Sequence, residues 1–250
     1  MVEPVGTRRV RIIGIGSGHP DQLTSEAADA LAGVTYVIAA DKGSEDPLLA
    51  IRQELCDRYG TELVAVADPE RDRDDPADYP GVVRDWHEAR VAAYEDVLAD
   101  KPGDVAFLVW GDPAFYDSTI RIVDRLAERG RVEFTHDVLP GVSSPQLLAA
   151  RHRIVLHRVG QPVLVTTGRR LAEAVGAGHD NIVVMLDGDL ACLDLDPADW
   201  LIWWGANLGV DGEQLISGPL VEVAAELRRR RTALKESTGW LMDTYLLRRA

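Results

Sequence analysis

Cysteine is scarce in this chain: only Cys56 and Cys192 occur, far apart and in no C-x-x-C pair. That excludes a thiolate zinc site and a disulfide framework, and it fits a reducing compartment. An excess of positive charge is also missing. The 41 acidic and 27 basic residues give a formal net charge of -14. This argues against nucleic acid as a partner, because contact with a phosphate backbone demands a basic surface. It leaves room for a local basic pocket that takes an acidic small molecule. No run approaches the ~20 apolar residues of a spanning helix, and residues 1–9 have no apolar signal core. The expectation is a cytoplasmic protein without a membrane contact.

Several catalytic signatures are absent too. No G-x-S-x-G elbow exists, since Gly141 is followed by Val142, Ser143, Ser144 and Pro145. Neither an H-E-x-x-H pair nor a P-loop lysine motif occurs. His87 and His136 are isolated, and His152 and His157 are five apart, so no metal site is predicted.

What the chain does have is length and rhythm. Its 250 residues amount to one or two domains. With 46% hydrophobic and 27% charged residues, it has the composition of a folded globular protein. Short apolar runs alternate with helical patterns. Strands are predicted over 10–15, 34–40, 62–66, 105–110, 132–139, 163–167, 182–186, 201–204 and 240–248. Helices are predicted over 25–31, 47–59, 81–99, 120–130, 144–152 and around Leu220, Val223, Ala224 and Leu227. Thr24 and Gly33 read as cap and stop of the first helix. Residues 68–80, rich in Asp, Arg and Pro, read as a solvated loop. The Arg228–Arg231 run reads as a solvated helix end beside the negative pole of its dipole. Alternating strands and helices mean α/β layers. The helical pattern lapses around 111–116, which places a domain junction there: an N-terminal α/β domain over 1–113 and a C-terminal one over 114–250.

Three loops leave predicted strands with chemistry-bearing residues. In 14–21, glycines at 14, 16 and 18 permit tight turning and close approach to a ligand, and Asp41 lies about where a dinucleotide fold wants an acid. The spacing is G-x-G-x-G, however, and Pro20 interrupts the amides that would cradle a pyrophosphate. In 110–116, Gly111-Asp112-Pro113 makes a sharp exit whose carboxylate can accept hydrogen bonds from exposed amides or from a ligand. In 139–145, Ser143 and Ser144 stand at a helix start, where a serine also serves as a cap.

The order and spacing of these loops, with Leu23-Thr24 and a strand ending at Met185, resemble the tetrapyrrole methylase family, the S-adenosylmethionine-dependent enzymes of sirohaem and cobalamin synthesis. Further stretches resemble the branch that deacetylates a corrinoid as it methylates it: Asp41-Lys42-Gly43, residues 140–154, Thr166-Thr167-Gly168-Arg169-Arg170, residues 183–188 and 202–209. The resemblance implies two α/β domains with a cleft between them, and a homodimer. It implies that S-adenosylmethionine contacts Pro20, Trp110, Gly111, Asp112, Phe115, Ser143, Ser144, Met185, Gly205 and Ala206, and leaves as S-adenosylhomocysteine. The implied reaction is methylation of precorrin-5 at C1 with loss of acetate, giving precorrin-6A.

Such a reaction needs a base for the attacking water. Asp41, Asp21 and His19 are the candidates, at or beside strand ends, with His152 a fourth. Asp41 could equally cap the next helix, and Asp21 the first. A corrinoid precursor carries many carboxylates. Gly16 and Gly18 would lie against it, and Lys42, Arg151, Arg153, Arg169 and Arg170 would hold its carboxylates, since arginine forks match them. Three other readings stay open: a methylase of the same family with a different acceptor, a nicotinamide-dependent oxidoreductase using the 14–21 loop, and a non-catalytic binding protein.

Overall fold

Five stretches form one all-parallel sheet: Arg8–Gly14 (β1), Tyr36–Asp41 (β2), Glu62–Ala67 (β3), Val105–Val109 (β4) and Phe134–Leu139 (β5), in the order β3-β2-β4-β1-β5. The central strands are apolar on both faces because helices cover both faces of a parallel sheet. In β4 the residues Val105, Phe107 and Val109 pack to one side with Tyr94, Leu98, Ile122, Val123 and Leu126. Ala106 and Leu108 pack to the other with Ala27, Leu31, Leu55 and Cys56. The covering helices are Ser25–Ala32 (α1), Pro47–Tyr59 (α2), Tyr79–Asp100 (α3) and Thr119–Arg129 (α4). Arg11, a polar residue inside β1, stands in register with Asp137 of edge strand β5 and pairs with it at 2.8 Å. The computed structural model describes residues 7–43, 46–69, 79–238 and 241–250. Of the stretch read as a solvated loop, residues 70–78 lie outside the described residues. Its first two residues are pinned to α3: Arg90 Nε and Nη2 both donate to Asp68, and Trp86 Nε1 donates to the Pro69 carbonyl at 3.0 Å.

The second sheet is mixed. Leu164–Thr167 (β6) runs parallel to Asn181–Met185 (β7). Asp243–Arg249 (β10) runs antiparallel to β7 and to Trp200–Ala206 (β8), and Gln214–Pro219 (β9) runs antiparallel to β8. Ser144–His152 (α5), Leu171–Gly176 (α6) and Leu220–Thr238 (α7) accompany it. Its core centres on Trp204, Tyr245, Leu247, Ile202 and Leu227. The fold is thus mixed α/β with two sheets, as the alternating patterns predict.

The chain divides into the units Met1–Val142 and Ser143–Ala250. This corrects the junction expected at 113/114. The lapse of helical pattern near 111–116 is the exit turn of β4, not a linker. Beyond it, β5 pairs with β1 from Arg8↔Phe134 to Ile13↔Leu139, so residues up to the end of β5 belong to the first sheet.

The Arg228–Arg231 reading also needs correction. Arg231 is half-buried and fully engaged: Nε donates to Asp243 at 2.7 Å, and Nη1 and Nη2 donate to the carbonyls of Gly188 and Asp187. Burial pushes the Asp243 carboxyl above its ordinary range while the Arg231 guanidinium pulls it back. The two cysteines are free and buried, one in each unit. Desolvation raises the Cys56 thiol to about 11 and the Cys192 thiol to about 12, so both are protonated core residues.

Candidate active site

In the first unit the exits of β1, β4 and β5 meet on glycine. Gly111 donates to the Gly16 carbonyl at 2.7 Å, and Gly16 returns the bond at 3.1 Å. A Cβ on Gly14 would lie 2.7 Å from the Gly141 Cα, and one on Gly141 would lie 2.7 Å from the Gly14 carbonyl carbon. Only glycines let the two backbones touch. The Asp112 carboxylate then ties the exits together: Oδ2 accepts from the Gly141 amide at 3.0 Å and Oδ1 from the Ala114 amide at 2.8 Å. Gly16 and Gly18 are buried by the chain itself. Gln22 covers Gly16, while Ile51 and the Trp110 ring cover Gly18. Gln22 Oε1 also accepts from both the amide and the hydroxyl of Ser17.

The candidate bases of this unit stand apart in character. Asp41 ends β2, half-buried, and its Oδ1 accepts from the Gly43 amide at 2.8 Å. It does not cap α2, because Asp46 does so by accepting from Leu48 and Leu49. Asp21 does not cap α1, because Thr24 Oγ1 takes the Ala27 amide there. His19 and Asp21 are both exposed, and His19 Nδ1 accepts from the Asp21 amide at 3.2 Å.

In the second unit, Ser143 caps α5. Its amide and its buried hydroxyl both donate to Gln146 Oε1 at 2.8 Å. Leu148 of the same helix packs on Gly205, where a Cβ would come within 3.0 Å of Leu148 Cδ1. Met185 and Gly205 both stand in register with Thr244, one on each side of β10. The register therefore sets Met185, Gly205 and Ala206 close together in the second sheet, and α5, which begins at Ser144, packs on Gly205 through Leu148. His152 lies at the far end of α5, its Nε2 2.9 Å from the Trp204 carbonyl.

A family model for Tetrapyrrole (Corrin/Porphyrin) Methylases matches residues 9–224. The chain belongs to the tetrapyrrole methylase family. It is 44% identical over 252 aligned positions to a precorrin-6A synthase [deacetylating] of Sinorhizobium sp, covering 98% of this chain and 96% of that protein. It is similar to the crystal structure of a cobalamin synthesis related protein (CobF) from Corynebacterium diphtheriae, with a TM-score of 0.85 and 36% identity, covering 97% of this chain and 99% of that one. A uroporphyrin-III C-methyltransferase from Thermus thermophilus, solved with S-adenosylhomocysteine, shares the fold at a TM-score of 0.55 and 21% identity, covering 96% of this chain and 91% of that one.

The cations this tetrapyrrole methylase was expected to turn toward a carboxylated substrate fall into two sets. Arg151 is paired with Glu213 at 2.8 Å and Arg170 with Glu173 at 2.6 Å. Lys42, Arg153 and Arg169 are exposed and make no ion pair among the described residues. No group of three or more His, Cys, Asp or Glu side chains that could hold a metal occurs among the described residues. No helix among them is long and apolar enough to cross a membrane. The glutamine clamps on Ser17 and Ser143 were missed. The signal was present, since Gln follows each serine by five and three residues, the latter at capping-box spacing.

Proposed function

We propose that this chain is an S-adenosylmethionine-dependent C-methyltransferase of cobalamin synthesis, methylating precorrin-5 at C1 with loss of acetate to give precorrin-6A. The observation that carries this is the 44% identity to a precorrin-6A synthase [deacetylating] over 98% of this chain and 96% of that protein. The family of that relative and a shared fold do not distinguish one corrinoid acceptor from another, whereas full-length identity at this level points to the deacetylating branch.

The bound methyl donor supplies an electrophilic sulfonium methyl group. The chain's task is mostly placement. Holding two reactants in line is worth about 7–11 kcal/mol of barrier. The residues fit a donor of this kind. Asp112 uses only part of its acceptor capacity on Gly141 and Ala114, since a carboxylate has about four lone-pair sites. Half-buried Trp110, Phe115 and Met185 offer apolar cover. In our reading Pro20, Trp110, Gly111, Asp112 and Phe115 of the first unit, and Ser143, Ser144, Met185, Gly205 and Ala206 of the second, serve the methyl donor. Gly16 and Gly18 act by fixing the β1 exit. Lys42, Arg153 and Arg169 are the better candidates for substrate carboxylates, because Arg151 and Arg170 are already paired.

Removing an acetyl group by water needs a proton acceptor and a donor for the carbonyl oxygen as it gains charge. We assign the first to Asp41, which the Gly43 amide holds in place while its second oxygen makes no hydrogen bond among the described residues. We assign the second to neighbouring Lys42. A homodimer in the cytoplasm completes the reading.

The test is incubation with precorrin-5 and methyl-labelled S-adenosylmethionine, with mass spectrometry of the pigment and assay of acetate. One methyl group gained per acetate released is expected. Asp41→Asn should bind S-adenosylhomocysteine normally yet slow acetate release and methylation together, by roughly 10²–10⁴-fold. A methylated product that keeps its acetyl group would assign the chain to another acceptor. Binding of NAD without S-adenosylhomocysteine would replace the reading by an oxidoreductase.

A further inference from the structure

The first sheet opens at its carboxyl edge between β2 and β4. The two strands share register only at Tyr36↔Val105 and Val37↔Ala106. Beyond that point β2 continues with β3 and β4 with β1. The β2-facing side of β4 is left without a strand partner, in the position where open α/β sheets bind ligands. Arg52, from α2 on one face, reaches into this divergence and donates Nε to the Leu108 carbonyl at 2.9 Å. Tyr94, from α3 on the other face, packs its ring on Phe107, with centroids 5.3 Å apart.

Both side chains are short of partners. Tyr94 is only 5% exposed, yet its hydroxyl has no hydrogen-bond partner among the described residues. Arg52 is half-buried, and this desolvation lowers its guanidinium below the ordinary value. Among the described residues it pairs with no carboxylate. The acidic groups that bear on it are Asp46 and Asp117, and neither is in ion-pair contact with it: Asp46 caps α2, and Asp117 accepts from the Thr119 amide at 2.6 Å. The other neighbouring cation, Arg90, is held bidentately by Asp68. Neither group is sealed off without a partner, since the fully buried unpartnered side-chain atoms among the described residues are Glu95 Oε1 and Gln214 Oε1; the spare donors of Arg52 and Tyr94 are therefore open to a ligand.

We propose that Arg52 and Tyr94 form a carboxylate-binding site at the open carboxyl edge of the first sheet, in which the free guanidinium nitrogens and the phenol hydroxyl donate to one carboxylate of the substrate. An arginine fork presents two parallel donors to a carboxylate, and the phenol adds a third. The geometry suits two sources of the same group, a carboxylate of the corrinoid periphery or the acetate released on turnover. The assignment to the substrate rests on the function proposed above.

The test uses Tyr94→Phe, which keeps the ring and its packing, and Arg52→Gln. Initial rates with precorrin-5 at saturating methyl donor should show KM raised about tenfold or more in each variant, the loss of one charged hydrogen bond. S-Adenosylhomocysteine affinity by calorimetry should not change, and Tyr94→Phe without ligand should melt at or above the unaltered temperature. If the site instead holds released acetate, KM stays constant and product inhibition by sodium acetate weakens about tenfold in Tyr94→Phe. Unchanged KM and unchanged acetate inhibition in Tyr94→Phe would overturn the site, as would an equal loss of donor affinity. If the unaltered enzyme does not convert precorrin-5, the function above fails, and the site is judged on acetate alone. Acetate must then raise the melting temperature of the unaltered chain and not that of Tyr94→Phe, and equal shifts would refute the site.

Discussion

Arg231 and Arg52 are both half-buried on helices that flank a sheet, and they are treated in opposite ways. Arg231 is 11% exposed and Asp243 4%. Around this pair the Trp204 indole donates to Asp243, and the Tyr245 hydroxyl donates to Asp187 at 2.5 Å. Asp187 accepts further from the amides of Asp189 and Ala191. Every arm of Arg231 finds a protein acceptor. Among the described residues Arg52 finds one carbonyl and no carboxylate. A buried polar network that is closed on itself specifies a fold. One left open at a sheet edge keeps donors for a ligand, and that contrast supports the substrate site proposed in the first unit.

The contrast breaks most sharply at Asp243. Replacing it by Ala leaves Arg231 with carbonyls alone and removes the acceptor of the Trp204 indole. Stripping one partner from a buried pair costs about 3–5 kcal/mol, so Asp243→Ala should lose that much in denaturant unfolding. A loss under about 1 kcal/mol, the range of exposed pairs, would mean that the network is looser than its distances imply.

The glycine junction comes next. Gly141→Ala would press a Cβ onto the Gly111 carbonyl oxygen and the Gly14 backbone. Rigid backbone on both sides leaves nothing to yield, so overpacking should cost about 1–3 kcal/mol and loosen the β4 exit. Weaker binding of S-adenosylhomocysteine should accompany the stability loss. Tyr245→Phe should cost about 1.5–3 kcal/mol, the value of a hydrogen bond to a charged group, with donor affinity intact. A stability loss confined to the second unit's network and a binding loss confined to the first unit's glycines would confirm the division of labour. If Tyr245→Phe also weakened binding, the closed network would be part of the site.

How far these features were legible in the sequence follows from their range. Strands such as β4 were plain, because a strand buried on both faces is an unbroken apolar run. Strand β9 and helix α6 were missed: β9 is a half-exposed edge ending in Gly218-Pro219, and α6 is only six residues long. The three strand-exit loops were legible one by one, as glycine beside chemistry-bearing residues. Their meeting was not, since Asp112 ties to Gly141 across 29 residues. Arg231 was misread because its own helix shows only like charges around it, while the partner that engages it lies on β10. Tyr94 shows only helical spacing in the sequence, and nothing local to it or to Arg52 announces that the strands between them part.

The smallest effect is the most telling one. Arg52→Met keeps most of the aliphatic stem and its packing and removes the guanidinium. It leaves the Leu108 carbonyl without its donor, a cost of about 1 kcal/mol. Against this, the guanidinium is lowered from its ordinary value by desolvation first, with Asp46 only partly offsetting it. The sign follows from linkage: folding disfavours the protonated form, so at neutral pH, where the side chain is protonated in both states, its charge opposes folding. The two terms oppose one another, and the ligand-free variant should unfold within about 1 kcal/mol of the unaltered chain. Asp243→Ala, measured in the same buffer, supplies the scale. A loss near 3 kcal/mol for Arg52→Met would make Arg52 a brace of the same kind as Arg231, and the open edge between β2 and β4 would lose its claim to a ligand.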